Sequence, residues 1–561
     1  MRIVAFSVIL FCTLRGASGE TDLKIPLEGD AEAKITASCC FNPLPLAGYA
    51  PIVIAISNDS VRAQRWEFHF QSPVFTYVST DSMTFATGLE VPNRSTRSFK
   101  LLVPLASRGP DAGFLSQLGV SVAGYHANGA SLTGFPPLRH SGKPLSAFVA
   151  ISDSLASVSM GLIEKELIGT QIDLAATRFD PSKLPDDWRA FVGINALWMK
   201  YGEFAFLSSV QRGALHDWVL RGGSLFVSGG TDLDPQFSST GFGKVVFLEK
   251  EALDVQQTAK AIRELEKTSL EHQLGQSYGS EWKAVSKVGV IKFNATLVIG
   301  FMAVFAILVG PINLFVFARG IRRYRLFWTT PLISVAASIL LLLIIILQDG
   351  FGGYGSRVAL VYVGSVEKRD VVLQEQIART GVLLGSSFQT RDPTFIVPIK
   401  LGTPKNGRKR SYDNSDTFFD GEWFVSRALQ PHWIESVAPS RAGVALLNSA
   451  EIHQSHAAPI IVSNINGALE QVRLRDDNGS IWSAENVKTG ERVTLKPDQA
   501  PLNFLPEEAG PRLRAMWAEV QDRKNYFYAI SRESDQLVQT LPSIRWKNDR
   551  VLFVGPVSGL P

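Results

Sequence analysis

Residues 293–347 read FNATLVIGFMAVFAILVGPINLFVFARGIRRYRLFWTTPLISVAASILLLLIIIL. Two stretches of it, 293–318 and 327–347, carry no ionisable side chain. Each has the roughly 20 apolar residues that a helix needs to cross the hydrocarbon core of a bilayer. The core helix of a soluble protein is the alternative, but 340–347 is apolar on every face until Gln348. The segment between the spans, 319–326, is too short for a domain and holds Arg319, Arg322, Arg323 and Arg325. Basic loops stay in the cytoplasm, so the pattern predicts a two-helix transmembrane hairpin whose ends both point outward. Pro311 removes an amide donor and is expected to kink the first span, while Asn313 is placed to bond the second helix. A site that couples to a membrane partner is the other reading of Gly310, Pro311 and Asn313.

The N-terminus agrees with that placement. Arg2 precedes an apolar stretch, 3–14, and the small residues Gly16, Ala17, Ser18 and Gly19 follow. This is the pattern of a secretory signal peptide over 1–19, with an uncleaved anchor as the alternative. Bulky Phe11 before Cys12 argues against a lipoprotein site. With the signal removed, 20–292 and 348–561 lie in one extracytoplasmic compartment. A formal net charge of +4 over 561 residues is too thin to imply nucleic acid. The dense basic run Lys405 to Arg410 reads as a solvated loop or a contact for anionic polymer or lipid. Beyond the signal only Cys39 and Cys40 remain, and adjacent cysteines make a strained ring, so the domains must stand on ordinary cores.

The outward parts divide by pattern. In 20–145, the buried run 52–56 and the alternation of Trp66, Phe68 and Phe70 with Glu67 and His69 predict short strands, hence an immunoglobulin-like β-sandwich. From 146 to 250 strands alternate with helices. Ala147 to Ile151, Phe191 to Trp198, Ser224 to Val227 and Lys244 to Leu248 are read as strands. A helix opens on the capping box Ser208 and Gln211, carries Val210, Ala214, Leu215, Trp218 and Val219 on one face, and stops at Gly222-Gly223. That order predicts a flavodoxin-like parallel α/β layer. Residues 251–292 read as a helical linker to the membrane and Gly350 to Gly355 as a flexible linker after it. The remainder, 348–561, is β-rich, with a hairpin turn at Asp477-Asn-Gly479 and a helix over 513–528.

Several elements in order carry a resemblance: Leu184-Pro-Asp-Asp-Trp188, Phe191 to Leu197, Leu207 to Gln211, Ala214 to Val219 and Arg221-Gly-Gly-Ser-Leu225. Over 146–250 the chain resembles the class I glutamine amidotransferase-like domains of bacterial envelope proteins. The block Val309-Gly-Pro-Ile-Asn-Leu-Phe315, the Arg-rich loop and Trp328-Thr-Thr-Pro331 are similar to uncharacterised membrane-anchored members of that group. The resemblance implies a bacterial cytoplasmic membrane with the large domains in a periplasm. It lends no catalytic residue: the active members attack an amide with a cysteine thiolate, and 146–250 contains no cysteine.

Chemistry is sparse elsewhere. Glu451, His453 and His456 sit together without a metalloenzyme spacing. His216 and Asp217 are neighbours on a helix and do not face each other, so surface positions are expected. Asp153 and Ser154 follow the first α/β strand, and Thr231 and Asp232 follow a later one, at the carboxyl edge where such sheets bind ligands. Helix capping and turn formation are the alternative for all of them. The sequence thus leads to a non-enzymatic, membrane-anchored envelope protein without cofactor or metal. Its outer domains would bind a small molecule or an envelope or membrane protein. A hydrolase or carbohydrate-active enzyme at the α/β edge is the rival.

Overall fold

A computed structural model of the chain describes residues 20–27, 32–42, 44–45, 48–75, 80–106, 118–124, 130–135, 147–155, 174–230, 237, 240–248, 278, 282–289, 295–317, 320–399, 401, 409–412, 417–447, 458–499 and 504–559. The protein is a mixed α/β molecule dominated by strands, with two helices long and apolar enough to cross a membrane.

The first of these helices runs α-helically over Ala295–Ile307 and continues as a π-helix over Leu308–Phe317; the second is Leu326–Asp349. Pro311 lies inside the π-helical run, so the amide it lacks is absorbed by a change of hydrogen-bond pattern. Gly310 has open space where a Cβ would stand. Asn313 is fully buried between the helices. Its amide donates to Thr330 Oγ1 at 2.9 Å and its carbonyl accepts from Thr329 Oγ1 at 2.6 Å. The turn Gly320–Arg325 leaves Arg323 and Arg325 exposed. Arg319 and the side chain of Arg322 lie outside the described residues.

Both helices are rooted in one body. The short helix Lys283–Val288 precedes the first and is docked through Trp282 Nε1, which donates to Glu508 O at 2.6 Å, and through the pairs Lys283–Glu507 and Lys287–Glu508. The second helix passes directly into the strand Gly353–Gly364. The flexible linker expected there is instead tight packing: a Cβ at Gly352 would meet Ser543 O at 2.1 Å, and one at Gly355 would meet the Trp546 ring at 2.5 Å.

Gly353–Gly364 is central to a nine-stranded sheet that also contains Arg369–Thr380, Leu429–Pro439, Ile544–Pro556 and Tyr526–Ser531. Its Val358 to Val363 run is apolar at every position because both faces are covered. Val358, Leu360 and Tyr362 join the large core with the α/β layer, while Ala359, Val361 and Val363 pack in a second core with Val444 and Ile461 of a four-stranded sheet. Tyr526 and Tyr528 lie on a strand, not on the helix expected over 513–528. That helix is only Pro511–Ala518, since turns intervene and Tyr528 alternates into the sheet.

The parallel layer contains Ala147–Ser152, Leu174–Phe179, Ala196–Lys200, Ser224–Ser228 and Lys244–Leu248. Numbered along the chain, these strands lie in the order 2-1-3-4-5, the flavodoxin-like order. The strand expected at 191–198 begins only at Ala196, because Asp187 caps a 3-10 turn over Trp188–Phe191. Leu174–Phe179 shows no hydrophobic run, because Thr177 and Arg178 interrupt it. The capping box forms as expected, with Ser208 N donating to Gln211 Oε1 at 3.0 Å and Gln211 N to Ser208 Oγ at 3.3 Å. The helix Ser209–Arg221 buries Ala214, Leu215, Trp218 and Val219, while Val210 stays 61% exposed. Gly222 takes a φ of 130°, and a Cβ at Gly223 would stand 2.2 Å from the Trp218 ring.

The N-terminal strands form a four-stranded and part of a seven-stranded sheet. Trp66, Phe68 and Phe70 point inward and Glu67 and His69 outward, as their alternation requires. The seven-stranded sheet is completed from far along the chain: Lys409–Tyr412 pairs in parallel with Thr80–Val91 and is followed by Phe418–Gly421 and Phe388–Gln389. Phe41–Asn42, conversely, leaves to pair with Leu174–Phe179 in the α/β layer.

Candidate functional site

At the carboxyl edge of the parallel layer, Ser152 ends the first strand and Asp153 and Ser154 open onto solvent, with 3.3 Å between Ser152 Oγ and Ser154 Oγ. This is the switch point between strands 1 and 3, where open α/β sheets place ligands. Thr231 and Asp232, read as the other half of this site, lie outside the described residues, as do Glu451, His453 and His456. Gly230 is roofed by Tyr201, whose ring would stand 2.4 Å from a Cβ. The pairing of Phe41–Asn42 brings Cys39 and Cys40 to the same edge, both as free thiols. Burial pushes Cys39 up to about 12 and Cys40 well above its ordinary value, with Cys39, Asp180 and Asp153 adding to the rise at Cys40. Such thiols stay protonated near neutral pH and are poor nucleophiles.

His216 and Asp217 are buried rather than on the surface. The face of Ser209–Arg221 that carries them packs inward: His216 meets the ring of Phe237 edge-on, and Asp217 pairs with Arg369 at 3.0 Å. Arg221, one turn on, donates to Glu435 Oε2 at 2.5 Å, and Arg512 donates to Glu435 Oε1 at 3.0 Å. Trp433 Nε1 adds a bond of 2.6 Å, and the Arg512 guanidinium lies over the Trp433 ring at 4.6 Å. Burial alone would raise Glu435, but the two guanidinium groups overcome it and hold the carboxyl below its ordinary value. Beside it, Glu375 accepts from Tyr278 Oη at 2.7 Å and from the amides of Gly510 and Leu513. Here desolvation wins and the carboxyl rises to about 7. These groups clamp the α/β layer to the nine-stranded sheet. They bond chiefly to one another.

An open cavity of about 430 Å³ lies on the other face of that sheet, within the roughly 300–1,000 Å³ of small-ligand pockets. Strand register builds its floor. Val372 is opposite Ser436, which is opposite Thr394, and Asp370 is opposite Ala438, so these side chains share one face. Gln374 and Gln376, on the face opposite Glu375, position one wall. Gln374 exchanges two bonds with the backbone of Val538, and Gln376 bonds Thr540 at 3.3 Å, which lays 535–540 across the sheet. The facing wall is tied by Asn464 Nδ2, which donates to Arg441 O at 2.7 Å, and Asn466 Nδ2 reaches Asp535 Oδ2 at 2.9 Å. Asp370 is only 2% exposed. Gln536 Nε2 donates to its Oδ2 at 3.4 Å, while Oδ1 is buried with no hydrogen-bond partner. Desolvation raises this carboxyl to about 6, against the opposing effect of Ser440 and Gln536. An unmatched buried acceptor costs about 1–3 kcal/mol, so this one marks a place where a donor is wanted. None of these residues stands out by motif; the run of polar side chains at 374–376 inside an apolar strand was the signal in the sequence.

No family model matches the chain, and no curated protein sequence does. Among solved structures, a structural-genomics target is 11% identical over 21% of this chain and 79% of its own, with a TM-score of 0.11. A β-glucuronidase of Bacteroides uniformis is 10% identical over 43% of this chain and 32% of its own, with a TM-score of 0.15. A cycloisomaltooligosaccharide glucanotransferase of Paenibacillus sp. is 12% identical over 33% of this chain and 26% of its own, with a TM-score of 0.14. The chain thus spans a third or less of the two enzymes, and likenesses of this strength carry no argument.

Proposed function

We propose that this chain is a membrane-anchored bacterial envelope protein that binds a ligand or an envelope partner through domains held outside the cytoplasmic membrane. One observation carries the reading. Along the two apolar helices Asn313 is the one fully buried residue among the described ones, whereas the strand-rich body they are rooted in has continuous cores. Exposed apolar surface of this extent marks a membrane or protein contact. In this reading the helices form a transmembrane hairpin, the Arg-rich turn stays in the cytoplasm, and residues 1–19 serve as a secretory signal. Tyr324, Phe327 and Trp328, all exposed beside the turn, fit the aromatic belt at a membrane surface. The α/β layer acts as an amidotransferase-like binding module without a nucleophile of its own.

The test is fractionation of cells expressing the full chain, with an alkaline wash, and reporter fusions in 320–325 and at the C-terminus. Retention in the washed membranes, with an internal turn and an external C-terminus, is expected. Recovery in the soluble fraction, or an external turn, would overturn the reading.

A further inference from the structure

We propose that the cavity on the face of the nine-stranded sheet away from the α/β layer binds a neutral oligosaccharide, with a sugar hydroxyl donating to Asp370. This deepens the ligand-binding reading above and rests on it. The floor pairs apolar Val372 and Leu537 with Asp370, whose Oδ1 is buried and has no partner. A ligand lacking donors would leave that acceptor stranded, which disfavours a purely apolar one. The walls carry primary amides, Asn464, Asn466, Gln536 and Gln539. Each amide is tied once or twice within the protein and keeps a second hydrogen or lone pair, the complement of a hydroxyl, which is both donor and acceptor.

Charge narrows the class further. Arg391 and Arg441 are offset by Asp392 and Asp535, which leaves the carboxyl of Asp370 as the one charge of the lining without a counterpart. An anion that reached the floor would meet the carboxyl of Asp370, and a cation would first pass the two guanidinium groups. No group of three or more metal-ligating side chains occurs among the described residues, so the acidic side chains do not form a cation cage there. The geometry is set before any ligand arrives. Gln374 and Gln376 pin one wall to the sheet, and Asn466 bridges to Asp535 on the other. Such preorganisation lowers the entropic cost of binding a flexible sugar.

The experiment is isothermal titration of the full chain in lipid nanodiscs, since a maltoside detergent would itself present a sugar. Maltotriose, cellotriose and chitotriose are the neutral probes, and trigalacturonate and trilysine the charged ones. At least one neutral trisaccharide is expected to bind at concentrations below about 10 mM. Asp370→Ala is expected to weaken it by about tenfold or more, and the rim substitutions Asn466→Ala and Gln539→Ala to weaken it as well. The rim variants keep the test meaningful if Asp370→Ala fails to fold, because Asn466 and Gln539 are exposed. Silence from all neutral probes, preference for a charged one, or binding indifferent to the variants would overturn the proposal. Membrane retention is read separately, so a membrane-bound protein that ignores sugars sinks this inference alone.

Discussion

Glu435 shows how much rests on single side chains in this molecule. Its carboxylate is fully buried and accepts from Arg221, Arg512 and Trp433. Removing one member of a buried charged group leaves the others uncompensated, at about 3–5 kcal/mol. Glu435→Gln is therefore expected to lower stability by that order, read as a shift in the midpoint of chemical unfolding. Replacing Glu435, Arg221 and Arg512 together by apolar residues of similar volume should cost far less, because burying charge is itself expensive. If the single variant unfolds like the parent, the clamp is not structural. Nothing in the sequence revealed this cluster. Arg221 read as the end of a helix, and its partner stands 214 residues away, beyond the reach of any local pattern.

Elements were legible wherever a local rule decides them. The capping box at Ser208 and Gln211, the stop at Gly222-Gly223 and the alternation at 66–70 all depend on residues within a turn or two. Elements fixed by distant partners were not: Leu174–Phe179 is a strand because it lies between Ala147–Ser152 and Phe41–Asn42. The candidate edge at Asp153 and Ser154 was found by topology, whereas the sheet cavity is assembled from strands and loops spread over 370–539. The apolar helices belong to the legible class, and so does their polar contact. Asn313 bonds Thr329 and Thr330 in an apolar setting. Such contacts are worth about 0.6–2 kcal/mol. Asn313→Leu should weaken helix pairing by that amount, measured by steric trapping in bicelles, while Gly310→Ala, with open space around it, should leave it unchanged. Equal effects from both would remove the special role given to Asn313.

At the scale of the whole molecule, buried carboxyls set a pH dependence and long-range sheet pairing sets what can fold alone. Asp217 and Asp370 rise to about 6 and Glu375 to about 7, each chiefly by desolvation. A carboxyl raised on folding binds its proton more tightly in the native state, so its contribution is complete below the ordinary values of 3.8 to 4.5 and is lost as pH rises from there to about 6 to 7. The melting temperature is expected to fall between about pH 4.5 and 7, and the slope to flatten in the variant Asp217→Asn, Asp370→Asn, Glu375→Gln; a flat or rising profile in the parent would contradict this. Pairing is the stronger constraint. Thr80–Val91 has one edge covered by Lys409–Tyr412, with Thr84 Oγ1 donating to Arg410 O at 3.2 Å. Tyr49 packs its ring on Phe395 at a centroid distance of 6.0 Å. A fragment of residues 20–145 therefore loses the cover of a long edge and of a buried tyrosine, and bare edges of this kind recruit other strands. That fragment is expected to self-associate in size-exclusion chromatography with light scattering. Co-expression with 146–561 in detergent should restore a discrete one-to-one complex, because that piece supplies the missing strands together with the α/β layer that covers the nine-stranded sheet. A monodisperse, cooperatively melting 20–145 monomer would show that the edge cover is dispensable and that the N-terminal sheets stand by themselves.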